Sequence, residues 1–421
     1  MVEILYGKGS MTCPVEPDAV LTAHGGQEKA EISGSELVRQ AMAAPIGSAP
    51  LSVLAQGKAR ATVIISDHTR PVPSKDILPW MLQELREGNP DIQITLLVAT
   101  GCHRGTTKDE LVAKLGREIA EREQIKVHDA FAQEDHVEIG ILPSGAPLVI
   151  DRAAVETDLL VAEGFIEPHF FAGFSGGRKS VLPGVCAAAT VYGNHCGAFI
   201  ADEHSRTGVL MGNPIHRDMI AAAEMAELAY IVNVVIDDEK NTVAAFAGDP
   251  VLAHEAGVNW LKDRCAVKAV PADIVITSNG GAPMDQNLYQ CVKGLTAAEA
   301  TANPGAVLIL CAEAADGIGG EGFYRSLLEC EDAAELYEAY CATPQDQTIP
   351  DQWQTQILAR ILMKHRVILV SRKELAETIR EMKMDYAETL EEALAMARET
   401  VGEGGTVTAI PNGISVIVLA E

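Results

Sequence analysis

Three short stretches carry side chains suited to chemistry. The first, "HFFAGFSGGRKS" at 169–180, nearly spells a phosphate-binding loop, but Arg178 stands where such a loop has glycine before its lysine. Gly173, Gly176 and Gly177, with Ser175 among them, can turn backbone amides inward as an anion nest. Arg178 and Lys179 add charge, and His169 precedes the lysine by ten residues. The second stretch, "SDHTRP" at 66–71, groups Asp67, His68, Thr69 and Arg70. Arg70 offers a planar two-donor fork to a carboxylate or phosphate. A turn capped by Asp67, with Arg70 in solvent, accounts for the same residues equally well. The third, "ATGCHRG" at 99–105, sets His103 and Arg104 between glycines, where an imidazole can serve as acid or base near neutral pH.

Weaker signals lie further along. His195 in "YGNHCG" is a lone histidine and could bind a metal only if something else supplied the remaining donors. "MDQNLYQCVKG" at 284–294 places Tyr289 or Gln290 on the same helical face as Lys293, an arrangement most often found on a solvated surface. Trp353, flanked by polar residues, reads first as packing.

Charge raises the value of each cation in these motifs. The chain has 33 basic against 59 acidic residues and a formal charge of −26, which disfavours nucleic acid and acidic membranes as partners. An anionic substrate therefore needs a local cluster of Arg or Lys. Nine cysteines occur without a C-x-x-C pair, so neither a zinc site nor a dithiol redox site is signalled. No apolar run approaches the ~18 residues that span a bilayer. The start, "MVEILYGKGS", lacks the pattern of a signal peptide, and a cytoplasmic protein is expected.

The elements that must position these residues alternate. Strands are predicted at 61–67, 91–101 and 157–166, helices at 75–88 and 107–123, the latter with Thr107 and Glu110 as a capping box. A hairpin at 230–250 and a helix at 253–267 follow. A second α/β stretch has strands at 272–283, 306–317 and 365–373 around a helix at 286–302. The end, 405–421, reads as two strands joined by an Asn-Gly turn, compatible with either sheet. This pattern predicts an α/β chain of two α/β domains with mainly parallel sheets and the active site in the cleft between them. Boundaries are drawn at 1–265 for the N-terminal domain, with 401–421 able to return to it, and 270–400 for the C-terminal domain. Asp67, His103 and His169 then lie beyond carboxyl ends of strands, where ligands of such sheets bind.

Taken in order, the D-x-T-R-P loop, the G-x-H-R loop, the H-F-F-A-G-F-S-G-G-R-K-S segment, the N-H, the Y-Q-x-x-K and the late tryptophan make the chain similar to the nickel-dependent lactate racemase family over nearly its whole length. The resemblance implies an isomerase that inverts C2 of a 2-hydroxy acid by reversible hydride transfer. Its implied cofactor is the nickel-pincer nucleotide, pyridinium-3,5-bisthiocarboxylic acid mononucleotide nickel, attached at Lys179 and bound by Asp67, Thr69, Gly173, Ser175, Gly176, Gly177, Arg178 and Trp353. His195 would complete the metal's coordination. His103 and His169 would be the acid/base pair, and Arg70, Tyr289, Gln290 and Lys293 would hold the substrate. Partners implied are a small anionic 2-hydroxy acid and the proteins that make and load the cofactor. Three other readings stay open: the same chemistry on malate, a longer aliphatic acid or a sugar acid, a nucleotide-dependent phosphotransferase using the 173–180 loop, and a non-catalytic nickel or cofactor carrier.

Overall fold

The computed structural model describes residues 1–23 and 29–419. The chain divides into two compact units, and each has its own six-stranded sheet.

The unit formed by 29–195 and 209–263 carries the glycine-rich and histidine motifs. Its sheet runs Thr242–Gly248, Leu228–Ile236, Leu159–Phe165, Arg60–Ser66, Gln93–Ala99, Gln124–Val127. All neighbours are parallel except the expected hairpin of the first two. Strands such as "ATVIIS" are apolar on both faces because helices cover both sides of a parallel sheet. Ser74–Gly88 shows how: Ile77, Leu78, Met81, Leu82 and Leu85 repeat at helical spacing. They share one core with Val63, Ile65, Leu96, Val98, Val161 and Val232 of the strands. The helix expected over 107–123 is two, Lys108–Leu115 and Arg117–Arg122, broken at Gly116, whose φ of 83° suits glycine. The Thr107–Glu110 capping box forms as expected.

The second unit, 1–23 with 196–208 and 264–419, holds an all-parallel sheet. Its order is Asp385–Ala387, Arg366–Val370, Ala302–Cys311, Ala272–Ser278, Val407–Ile410, Ala19–Val20. The division is thus not a single cut near residue 265. The N-terminal residues belong here because Ala19–Val20 pairs with Val407–Ile410 and because Ile4 and Cys13 enter this unit's core. The terminal strands are also not a hairpin. Val407–Ile410 lies parallel to Ala272–Ser278, whereas Ile417–Leu419 lies parallel to Ala266–Lys268. Gly413 between them serves close approach: a Cβ there would stand 2.5 Å from Thr277 Oγ1 and 2.9 Å from the Ser278 carbonyl oxygen. No helix among the described residues is long and apolar enough to cross a membrane.

Candidate active site

Arg60–Ser66 and Gln93–Ala99 are adjacent parallel strands in register from Arg60 opposite Gln93 to Ser66 opposite Ala99. The D-H-T-R-P and G-C-H-R loops therefore leave the same sheet end side by side. Asp67 is only 1% exposed. Its Oδ1 accepts from the Thr69 amide at 3.1 Å and the Thr69 hydroxyl at 2.7 Å. Its Oδ2 lies 2.8 Å from His103 Nδ1. Burial alone would push the Asp67 carboxyl up; the hydrogen bond and charge of His103, the Thr69 hydroxyl and Arg70 outweigh it and hold the group below its ordinary value. An ionised Asp67 can only accept, so His103 donates through Nδ1, which leaves Nε2 as the ring nitrogen available for proton exchange. The turn cap that the sequence suggests at Asp67 is formed through the Thr69 amide, and the same carboxylate also orients His103.

The H-F-F-A-G-F-S-G-G-R-K-S segment follows the strand Leu159–Phe165. Pro168–His169 pairs antiparallel with Gly173–Phe174. Arg178 folds inward and is 1% exposed. Its Nε donates to His216 Nδ1 at 3.0 Å, Nη2 to the Ala172 carbonyl at 2.9 Å and Nη1 to the Gly176 carbonyl at 3.2 Å. Burial lowers its guanidinium to about 9. The amides turn inward too: Ser175 N–H donates to the Glu167 carbonyl, Gly177 N–H to Asn233 Oδ1 and Lys179 N–H to the Gly176 carbonyl. Ser175 Oγ accepts from the Glu167 amide and donates to the Phe165 carbonyl. Arg178, expected as a cation available to an anion, is instead turned inside the loop. These residues build a scaffold, with Gly173, Gly176 and Gly177 at φ of 77°, 79° and 54° making its turns.

What the scaffold presents is Lys179, half-buried on the 3-10 turn Gly177–Ser180. Its Nζ stands 5.7 Å from the ring centre of Phe171. The same ring meets His169 edge-on at 4.6 Å and His195 edge-on at 5.0 Å. Three residues singled out from the sequence thus converge on one phenyl group. His169 Nδ1 accepts from the Ala172 amide at 3.2 Å, so a neutral His169 carries its proton on Nε2. His195 ends the helix Ala188–Asn194 and is 5% exposed. Burial, then the nearby Lys179 charge, lowers it to about 3, which leaves the neutral imidazole that metals bind. The His103 turn is tied to this segment, since Gly101 N–H donates to the Gly184 carbonyl at 2.9 Å and Gly184 N–H to the Lys179 carbonyl at 3.2 Å.

In the second unit, Tyr289, Gln290 and Lys293 lie on the helix Leu288–Glu299, capped by Asn287. Trp353, on Gln352–Leu362, donates its indole N–H to the Tyr289 hydroxyl at 3.2 Å. These two candidates meet. Sequence reasoning missed Asn233, His216 and His254 as the supports of the lysine loop. Each sits on an unrelated element, so no local signal marks it. Phe171 stood in the quoted motif without a role.

Partly buried His216 has a consequence for stability. Burial, then the Arg178 charge, lowers it to about 3. A depressed histidine leaves the unfolded chain binding more protons between its ordinary value and about 3. Stability is therefore full above that window and falls as pH drops through it, by up to ~1.4 kcal/mol per pH unit per group. Thermal melts should show a loss between pH 7 and pH 5 that is smaller in His216→Gln.

Among the described residues no group of three or more His, Cys, Asp or Glu could hold a metal ion by itself. His195 beside Lys179 suits a metal brought by an organic ligand that needs one protein donor.

The family model described as Lactate racemase N-terminal domain matches residues 6–208, and that described as Lactate racemase C-terminal domain matches 267–418. The chain is 49% identical over 420 residues to the lactate racemase of Thermoanaerobacterium thermosaccharolyticum, covering 99% of each. It is 46% identical over 420 residues to that of Lactiplantibacillus plantarum, again 99% of each. The solved T. thermosaccharolyticum lactate racemase apoprotein superposes with a TM-score of 0.96 at 48% identity, covering 99% of each chain. A Thermotoga maritima protein at 17% identity and TM-score 0.67 shares the fold alone. Fold and relatives place the chain among isomerases, as a racemase. It belongs to the lactate racemase family.

Proposed function

We propose that this chain interconverts D- and L-lactate with a nickel-pincer nucleotide attached through Lys179 and His195 as the protein's ligand to nickel. The observation that carries the reading is the convergence of Lys179, His195 and His169 on Phe171, in a chain 49% identical to a lactate racemase. When bound, the cofactor supplies a reversible acceptor for the hydride of C2. The protein's own residues manage the proton and the carboxylate. Removing the C2 hydrogen as a proton is unfavourable, because an adjacent carboxylate barely stabilises a carbanion. Removing the hydroxyl proton while C2 becomes planar avoids that state. The two enantiomers present their hydroxyls differently, so two proton-transfer groups are needed. His103, with Nδ1 on Asp67, can take the hydroxyl proton at Nε2, and His169 in its imidazolium form is the acid that returns one through Nε2. Arg70 receives the carboxylate. Tyr289, Gln290, Lys293 and Trp353 are carried as substrate and cofactor contacts on the resemblance alone.

Asp67→Asn keeps shape but removes the carboxylate that orients the His103 ring. It is expected to lower kcat for both enantiomers by at least ~10²-fold, the lower end for a positioned base, with nickel content unchanged. Wild-type turnover in that variant would separate Asp67 from the chemistry. The reading itself is tested by co-expressing the cofactor-making proteins and following enantiopure lactate by polarimetry, with malate and a longer 2-hydroxy acid alongside. Inversion of malate but not lactate would overturn the substrate assignment.

A further inference from the structure

Residues 67–74, which carry Arg70, are gripped at three points. Asp67 is held by Thr69 and His103. In the middle, Lys114 Nζ donates to the Arg70 carbonyl at 3.1 Å and the Val72 carbonyl at 3.4 Å. At the end, the Ser74 hydroxyl donates to Glu163 Oε1 at 2.6 Å, and its amide donates to the Val72 carbonyl at 2.9 Å. Glu163 is 1% exposed within a fully buried strand, a costly place for a carboxyl group that has no partner. Burial pushes it up, and the Lys114 charge acts in the opposite direction. Lys114 belongs to Lys108–Leu115, whose first turn holds the neighbouring loop. Glu110 pairs with Arg104 at 2.6 and 2.9 Å and accepts from the Thr107 amide at 2.8 Å, while Thr106 Oγ1 lies 3.0 Å from His68 Nδ1. One short helix therefore grips the loop of His103 at its start and the backbone of Arg70 near its end.

We propose that Lys114 is a positioning residue for substrate: by fastening the Arg70 and Val72 carbonyls to the helix Lys108–Leu115, it fixes where the Arg70 guanidinium stands relative to His103. The inference rests on Arg70 receiving the substrate carboxylate. Neither Lys114 nor Glu163 touches substrate. Their effect is transmitted through the backbone of 70–72, so it should fall on binding more than on the chemical step.

The test compares Lys114→Met, Arg70→Ala and the double variant in the cofactor-loaded enzyme. Lys114→Met is expected to raise KM for lactate ~10-fold with kcat nearly unchanged, and to add nothing once Arg70 is alanine, the non-additivity of residues acting as one unit. Amides of residues 67–74 should exchange with deuterium faster in Lys114→Met. Because that change strands a buried carboxyl group, Lys114→Met/Glu163→Gln is measured too: it should recover melting temperature while KM stays high. If Arg70→Ala raises KM and Lys114→Met does not, the positioning role is overturned. It is equally overturned if the Glu163→Gln companion restores KM, since the effect would then be one of stability. An unchanged KM in Arg70→Ala would instead overturn the carboxylate reading beneath it.

Discussion

Replacing His103 with alanine is expected to lower racemisation by ~10²–10⁴-fold, the contribution of a positioned acid or base, while nickel content stays at the wild-type level. The loss should fall on both enantiomers, because in the proposed mechanism each conversion uses one imidazole to take a proton and the other to return it. The equilibrium constant between enantiomers is one, so kcat/KM must drop by the same factor in both directions. His169→Ala should match it. The structure makes His103 the sharper case, since its only assigned role is proton transfer, whereas His169 also packs against Phe170 and Phe171 at 5.1 and 4.6 Å. Metal analysis and turnover on the same preparation check the expectation. Activity within a few fold of wild type would remove His103 from the mechanism.

Lys179→Ala is expected to leave no activity above background and no covalent mass increment after exposure to the loading proteins. His195→Ala should separate the two functions of the site, keeping the increment and losing nickel. The contrast follows from position: Lys179 sits half-buried at the tip of a scaffold built by Arg178, Asn233 and His254, and His195 is a buried neutral imidazole edge-on to the same phenyl ring. Intact-protein mass spectrometry with nickel quantification reads both outcomes. An unchanged increment in Lys179→Ala would clear that residue as the attachment point.

The parallel strands were legible because "ATVIIS" and "ITLLVA" are apolar on both faces, which only a covered sheet explains. The capping box at Thr107 was legible for the same kind of local reason. Ala19–Val20 was not, because a two-residue strand carries no periodicity, and so the N-terminal residues could not be assigned to the second sheet. The loops of Asp67 and His103 could be read as chemically suited, but the register that puts Ser66 beside Ala99 exists only in three dimensions. Arg178 is the most instructive misreading. A sequence shows its charge; it cannot show that His216 and the carbonyls of 172 and 176 wait inside the fold to receive it.

The central claim is that C2 inverts while its hydrogen stays out of reach of solvent, the imidazoles acting on the hydroxyl proton alone. Racemising L-lactate deuterated at C2 in ordinary water with the loaded enzyme, and reading the label in the D-lactate formed, tests this directly. Retention of deuterium at C2 is the expected result; its replacement by solvent hydrogen during inversion would contradict the account.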